Sequence, residues 1–250
     1  MTDVRFVVGC EARGVVDSLG DYGEPYPALL VSYAYIKPFF KIKDQLYYRD
    51  WALDSGAYTA FTCGKTISLQ GYIDFCKQQK STDPSLSEII ALDVIGDWKA
   101  SLRNYEEMWK QGIEAVPTYH MGEPTHVLKT LVANYPKVGI SGYTLIVSQA
   151  KKRAYTDAIF SIAWPKKLHA LGLCTEPIVK DYPWHSIDAS SWCLKPAAFG
   201  TFTAYGKQNI GLTNNIQRNL RSEIEYFMAW EKHNKQVWRK ELESLEEDNA

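Results

Sequence analysis

Trp184-His185-Ser186-Ile187-Asp188-Ala189-Ser190-Ser191-Trp192 decides how the chain is read. An apolar run ends in a carboxylate and passes at once into small hydroxyl residues. That is the form of a buried parallel strand delivering an acidic side chain at its C-terminal end, where α/β folds carry their chemistry. Trp51-Ala52-Leu53-Asp54-Ser55-Gly56-Ala57-Tyr58 ends in the same way. The two segments are expected to set Asp188 and Asp54 face to face across one pocket.

Working outward, Val4–Val8 reads as a short strand and 9–26 as a loop containing Gly and Asp. Ala28–Tyr35 is a buried strand stopped by Pro38, and it begins a series. Trp51–Asp54, Ile89–Asp93, Glu114–Pro117, Lys137–Ile140, Lys167–Leu171, the Asp188 strand and an eighth near 197–203 follow. Helical spacing over Leu69–Lys80, Trp98–Gln111, Thr125–Asn134, Ser148–Ile162 and Glu176–Lys180 separates most of them. Strand and helix in alternation predict parallel βαβ units. Eight of them in 250 residues predict an α/β fold of one (β/α)8 barrel rather than an open sheet. No GxGxxG or Walker-type loop argues for a nucleotide-binding sheet. Residues 213–248 carry helical spacing with alternating charge and predict a C-terminal helical extension. One domain spanning 1–250 is expected.

A formal net charge of −1 advertises no global attraction to a polyanion. Local basic groups exist at Lys151-Lys152-Arg153, at Lys166-Lys167, and at Arg218 with Arg221, so a single stripe for nucleic acid stays open. The 5 cysteines are scattered without a CxxC pair, which points to neither a zinc knuckle nor a disulfide framework. No metal or cofactor is expected. No apolar run approaches the ~18 residues of a membrane helix, and no leader pattern opens the chain. A cytoplasmic location is expected, that of the host if the gene is a phage's.

Asp54, Asp93 and Asp188 each end an apolar strand. One carboxylate in that position equally serves as a helix cap. Three of them at the same end of a barrel favour a shared site, and paired carboxylates suit glycosyl chemistry. Tyr58 is placed to stack on a flat ligand or to pack in the core. His120 falls in a loop after its strand, whereas His169 lies within an apolar strand, where a hydrogen-bonded core histidine is the plainer alternative.

These residues form a set that resembles the tRNA-guanine transglycosylases. Leu53-Asp54-Ser55-Gly56-Ala57-Tyr58 resembles their Asp-Ser-Gly-Gly-Tyr/Phe motif, and Pro165-Lys166-Lys167-Leu168-His169-Ala170-Leu171-Gly172 their Arg-Tyr-Leu-Met-Gly-Val-Gly segment. Ile90-Ala91-Leu92-Asp93 matches the strand whose Asp reads guanine, and Val138-Gly139-Ile140-Ser141-Gly142 their Gly-rich base-binding strand. Ile187-Asp188 arrives at the distance of the family's nucleophile. Order and spacing agree across about residues 50–192. The family's Cys-x-Cys-x-x-Cys…His zinc site is absent, with only Cys193 after the nucleophile position, and Ala189-Ser190-Ser191-Trp192 replaces its Pro-Thr-Arg continuation. The chain is closer in these respects to the compact phage-type branch that acts on DNA.

The resemblance implies exchange of guanine in DNA for a 7-deazaguanine such as preQ0, in the service of DNA modification and evasion of restriction. Asp188 would be the nucleophile, forming a covalent glycosyl-enzyme, and Asp54 would handle the proton of the departing and arriving base. Asp93 would read the guanine edge, with Ser55 beside it. Tyr58 and His169 would cover the two faces of the base, Gly139 would let backbone approach, and His120 is a contact by position alone. Lys195, Lys207, Arg218 and Arg221 are candidates for phosphate contacts with single-stranded DNA or with DNA whose base is flipped out. A homo-oligomer is left open. The same exchange on tRNA, a nucleosidase or glycoside hydrolase using the same carboxylates, and a non-catalytic binding subunit are the competing readings.

Overall fold

The computed structural model describes residues 3–8, 13–193, 216–241 and 243. Eight strands form one sheet in the order β4-β3-β2-β1-β8-β7-β6-β5, with every registered pair parallel. They are β1 Asp3–Val8, β2 Ala28–Ser32, β3 Trp51–Asp54, β4 Leu86–Ile89, β5 Thr118–His120, β6 Lys137–Ser141, β7 Lys167–Ala170 and β8 Ser186–Ala189. A parallel bridge between Ile90 and Val116 joins the two ends of that order and curls the sheet into a barrel. The helices are α1 Arg13–Ser18, α2 Ile36–Ile42, α3 Ala57–Thr62, α4 Leu69–Thr82, α5 Trp98–Lys110, α6 Thr125–Asn134, α7 Gln149–Ala163, α8 Glu176–Lys180 and α9 Ile216–Val237.

Period-two alternation divides the strands into an outer and an inner set. Val4, Phe6 and Val8 of β1 are buried against the helices, in one core with Leu29, Leu53, Ile140, Leu168 and Ile187 of other strands. Their neighbours point into the lumen, where Val7, Leu30, Ala52, Ile90 and Val116 form a small separate cluster. Toward the N-terminal ends of the strands the lumen is ionic. Arg5 of β1 donates to Asp50 at 2.7 Å and stands 3.7 Å from Glu88 of β4, and Lys137 of β6 lies 2.6 Å from Glu88. Burial pushes the Glu88 carboxyl up, but the Lys137 and Arg5 charges outweigh it and hold the group at about 2.

The expected helix at the C-terminus is present as α9, and it packs on β1, α1 and α8, filling the eighth place in the ring of helices. Buried Ile224, Phe227 and Trp230 supply its apolar face. Glu231 anchors it, accepting from the Val4 N–H at 3.1 Å and from Arg49 Nη1 at 2.9 Å.

Several boundaries differ from expectation. Val4–Val8 is a full stave, so the barrel closes with the Asp188 strand as its eighth; residues 197–203 lie outside those described. The second strand stops at Ser32, whose hydroxyl accepts from the Ala34 N–H at 3.4 Å and starts a helical turn. Pro38 is then the third residue of α2 instead of a strand stop, a position where its missing N–H breaks no helical bond. The strand expected over Ile89–Asp93 runs over Leu86–Ile89. Beyond it α5 takes the backbone: Asn104 donates to the Leu92 carbonyl at 3.0 Å and Ser101 accepts from the Val94 N–H at 2.9 Å. The strand expected over Glu114–Pro117 is displaced to Thr118–His120, since Pro117 has no N–H for a ladder. The loop expected over 9–26 contains α1.

Candidate active site

Asp54 is the last residue of β3, and the chain turns sharply after it. Gly56 adopts φ +74° and directs its N–H to Asp54 Oδ2 at 3.1 Å. A Cβ at Gly56 would sit 3.0 Å from both the Ala34 nitrogen and Ser32 Oγ, so the turn needs glycine for conformation and for space. Ser55, between them, donates to Asp93 Oδ1 at 3.3 Å and accepts from the Ala57 N–H at 3.4 Å. The Asp93 loop follows β4. Across from it, His120 ends β5 and brings Nε2 to 2.7 Å from Asp93 Oδ2, an ion-pair contact without the alignment of a straight hydrogen bond. The His120 N–H donates to Glu123 Oε2 at 3.1 Å.

These groups line a cavity of about 630 Å³ at the C-terminal mouth of the barrel. Trp98, Met121, Gly142, Leu171 and Gly172 complete much of its wall, and Tyr58, 66% exposed, stands at its lip. The size lies within the range of small-ligand pockets. Burial raises Asp54 from an ordinary 3.8 to about 6, with the Asp93 charge adding, the Gly56 N–H opposing and Asp188 adding again. Burial lowers His120, but the close contact with the Asp93 carboxylate prevails and the imidazole is held above its usual value. A carboxyl raised above its usual range, an ionic pair and a hydroxyl in one cavity can bind a planar ligand with donors along one edge and exchange a proton with it.

Asp188 is held just behind the cavity wall. It is 5% exposed, and its Oδ1 accepts from the Gly172 N–H at 2.9 Å. Gly172, at φ +67°, belongs to the wall itself; a Cβ there would meet Thr144 Cγ2 at 2.9 Å. His169 is not at the cavity. Its ring is fully buried in the lumen, with Nδ1 2.8 Å from Ser186 Oγ and Nε2 3.4 Å from Asp188 Oδ1. The expected cover over one face of a base is therefore not made by His169; inward alternation along β7 puts its ring below the cavity floor. Gly139 also lies below that floor, where a Cβ would come within 3.1 Å of Leu171 Cδ1 and Thr118 Oγ1. Its missing side chain lets those two wall residues approach each other.

Of the expected basic contacts, Lys195 and Lys207 lie outside the described residues, and Arg218 is described only as part of the α9 backbone. Arg221 is on α9, bonded to Glu225 at 3.1 Å with its guanidinium 4.5 Å from the Tyr22 ring centre. It lines a separate depression with Tyr22, Arg49 and Glu231, not the acidic cavity. Glu123 and Gly172 went unassigned in the sequence. The signal for both was present: a carboxylate three residues after His120, and a glycine closing the His169 segment.

Among the described residues no group of His, Cys, Asp and Glu side chains is placed to hold a metal ion, and no helix is long and apolar enough to cross a membrane. No family model and no curated protein matches the chain. Solved structures of the tryptophan synthase α-subunit from the hyperthermophile Pyrococcus furiosus are similar in outline, at 12% identity and a TM-score of 0.49 for one structure, with 90% of this chain and 98% of that one covered. Two point variants of the same subunit give 10% identity and the same TM-score, 0.49.

Proposed function

We propose that the chain is a base-exchange glycosyltransferase that replaces guanine in DNA with a 7-deazaguanine such as preQ0. The observation that carries this reading is the grouping of three carboxylates at one mouth of the barrel. Asp54 ends β3 and Asp93 lies in the loop after β4, both lining a cavity of base-binding size, with Asp188 of β8 behind its wall. Asp93 and Asp188 both help to hold Asp54 near 6. Asp188 attacks C1′ of the target nucleoside and guanine leaves through N9, taking a proton from Asp54. The arriving base returns its N9 proton to Asp54 and attacks the same carbon, which frees Asp188 and retains configuration. Asp93, with Ser55 and His120 around it, accepts from the donor edge that guanine and 7-deazaguanine share. Tyr58 stacks on the exposed face of the base. The target base leaves the duplex to enter, at a cost of about a few kcal/mol.

The test is incorporation of radiolabelled preQ0 into single-stranded DNA, duplex DNA and tRNA, by the wild type and by Asp188→Ala. Label in DNA, absent with the variant, is the expected result. Label in tRNA alone moves the substrate to RNA. Guanine released without label entering makes the protein a hydrolase, and neither release nor incorporation ends the proposal.

A further inference from the structure

We infer that His169, held by Ser186, is a positioning residue that fixes the Asp188 carboxyl so that Oδ2 is the oxygen that attacks. The inference rests on the proposed role of Asp188 as nucleophile. The two groups recorded against that carboxyl both address the same oxygen. Gly172 N–H reaches Oδ1 at 2.9 Å, and His169 Nε2 lies 3.4 Å from Oδ1. Among the described residues nothing occupies Oδ2.

The imidazole is fully buried, as is Ser186, and Nε2 makes no hydrogen bond among the described residues, its 3.4 Å approach to Asp188 Oδ1 being a contact without hydrogen-bond alignment. A buried ring nitrogen beside a carboxylate oxygen, which only accepts, is satisfied when it carries the proton. The bare Nδ1, 2.8 Å from Ser186 Oγ, then accepts a hydrogen bond from the hydroxyl, which gives the group one polarity: Ser186 O–H to Nδ1, with the Nε2–H turned toward Oδ1 at 3.4 Å. The hydroxyl thus selects the tautomer, as the partner of the second ring nitrogen does for histidines generally. The Gly172 N–H bond on Oδ1, with the imidazole N–H dipole turned toward the same oxygen, pins the carboxyl plane and leaves the lone pairs of Oδ2 for C1′. When the glycosyl-enzyme breaks down, negative charge returns to a carboxylate that is already solvated on one side by fixed dipoles.

Two measurements separate this inference from the reading beneath it. Steady-state transfer of labelled 7-deazaguanine into an oligodeoxynucleotide is compared for the wild type, Asp188→Ala, His169→Leu and His169→Gln, with melting curves for each. His169→Leu is expected to lower kcat by about 10- to 100-fold, as loss of an orienting partner does, while KM for the base stays within about two-fold. His169→Gln, whose amide nitrogen reaches the place of Nε2, recovers most of the loss. The 5 histidines also allow their tautomers to be read by nitrogen-15 NMR. His169 is expected as the Nε2–H form in the wild type and as a mixture in Ser186→Ala, and this readout survives if His169→Leu fails to fold. Transfer that requires Asp188 but proceeds at the wild-type rate in folded His169→Leu overturns this inference alone, as does an Nδ1–H tautomer. Absence of transfer by the wild type overturns it together with the base-exchange reading.

Discussion

Asp54 is where a residue's environment makes the sharpest claim about solution behaviour. Its folded pKa, about 6, lies above an ordinary 3.8, so its contribution to stability is complete below pH 3.8 and is lost as pH rises through 6. Asp54→Asn is therefore expected to be more stable than the wild type at pH 7 to 8, by on the order of 2 kcal/mol, with the difference closing near pH 4. Urea melts across that range check it, and wild-type superiority at pH 8 would contradict the electrostatic account. The limb near pH 6 in the rate profile should vanish in the same variant. Asp54 and Asp93 were legible because each ends an apolar run with a carboxylate. The role of His169 was not, because spacing shows that a side chain points inward without showing how deep it sits.

Among the elements, α6 and α8 span the residues that periodicity alone indicated, Thr125–Asn134 and Glu176–Lys180. α8 carries an ordinary start signal, a proline in its first turn, whereas α6 follows Pro124 with no side-chain cap. Strand ends were harder: β2 stops where the Ser32 hydroxyl turns its own chain, and β4 where side chains of the later α5 claim the backbone. The attachment of α9 was invisible for the same reason: the Val4 N–H and Arg49 reach Glu231 across nearly the whole chain. Glu231→Ala leaves that N–H without its acceptor and takes one of three carboxylates from Arg49, which keeps Asp3 and Asp50, and is expected to cost about 2 kcal/mol in a denaturant melt. Glu225→Ala, an exposed i,i+4 pair with Arg221 on the same helix, is expected to stay within about 0.5 kcal/mol. Equal effects would mean that the anchor is not what docks the helix.

At the scale of the molecule, a barrel was readable from alternation, but its count was displaced by one because the first stave looked like a preliminary strand. The ionic layer of Arg5, Glu88 and Lys137 was not readable at all. A charge on a strand suggests the solvent face, and only closure of the sheet turns these side chains into a cross-brace between β1, β4 and β6. Glu88, held at about 2 against an ordinary 4.5, contributes stability above pH 4.5 that is lost as pH falls toward 2. Glu88→Gln should cost about 3 kcal/mol at pH 7 and progressively less below pH 4.5. An acid titration that runs parallel in both proteins would dismiss the brace.

The bridge between Ile90 and Val116 gives the hoop a seam. β1 and β2 pair continuously from Arg5 with Ala28 to Val8 with Val31, whereas here the described link consists of Val116 N–H to the Ile89 carbonyl at 2.8 Å and Ala91 N–H to the Val116 carbonyl at 2.9 Å. Asp93 and His120 rise from the two lips of that seam. Where the wall has fewest bonds to break, local opening is least costly. The cavity can then breathe by parting one hinge line, its acidic lip and its imidazole lip moving away from each other, while the other seven joints of the hoop keep Asp188 in place.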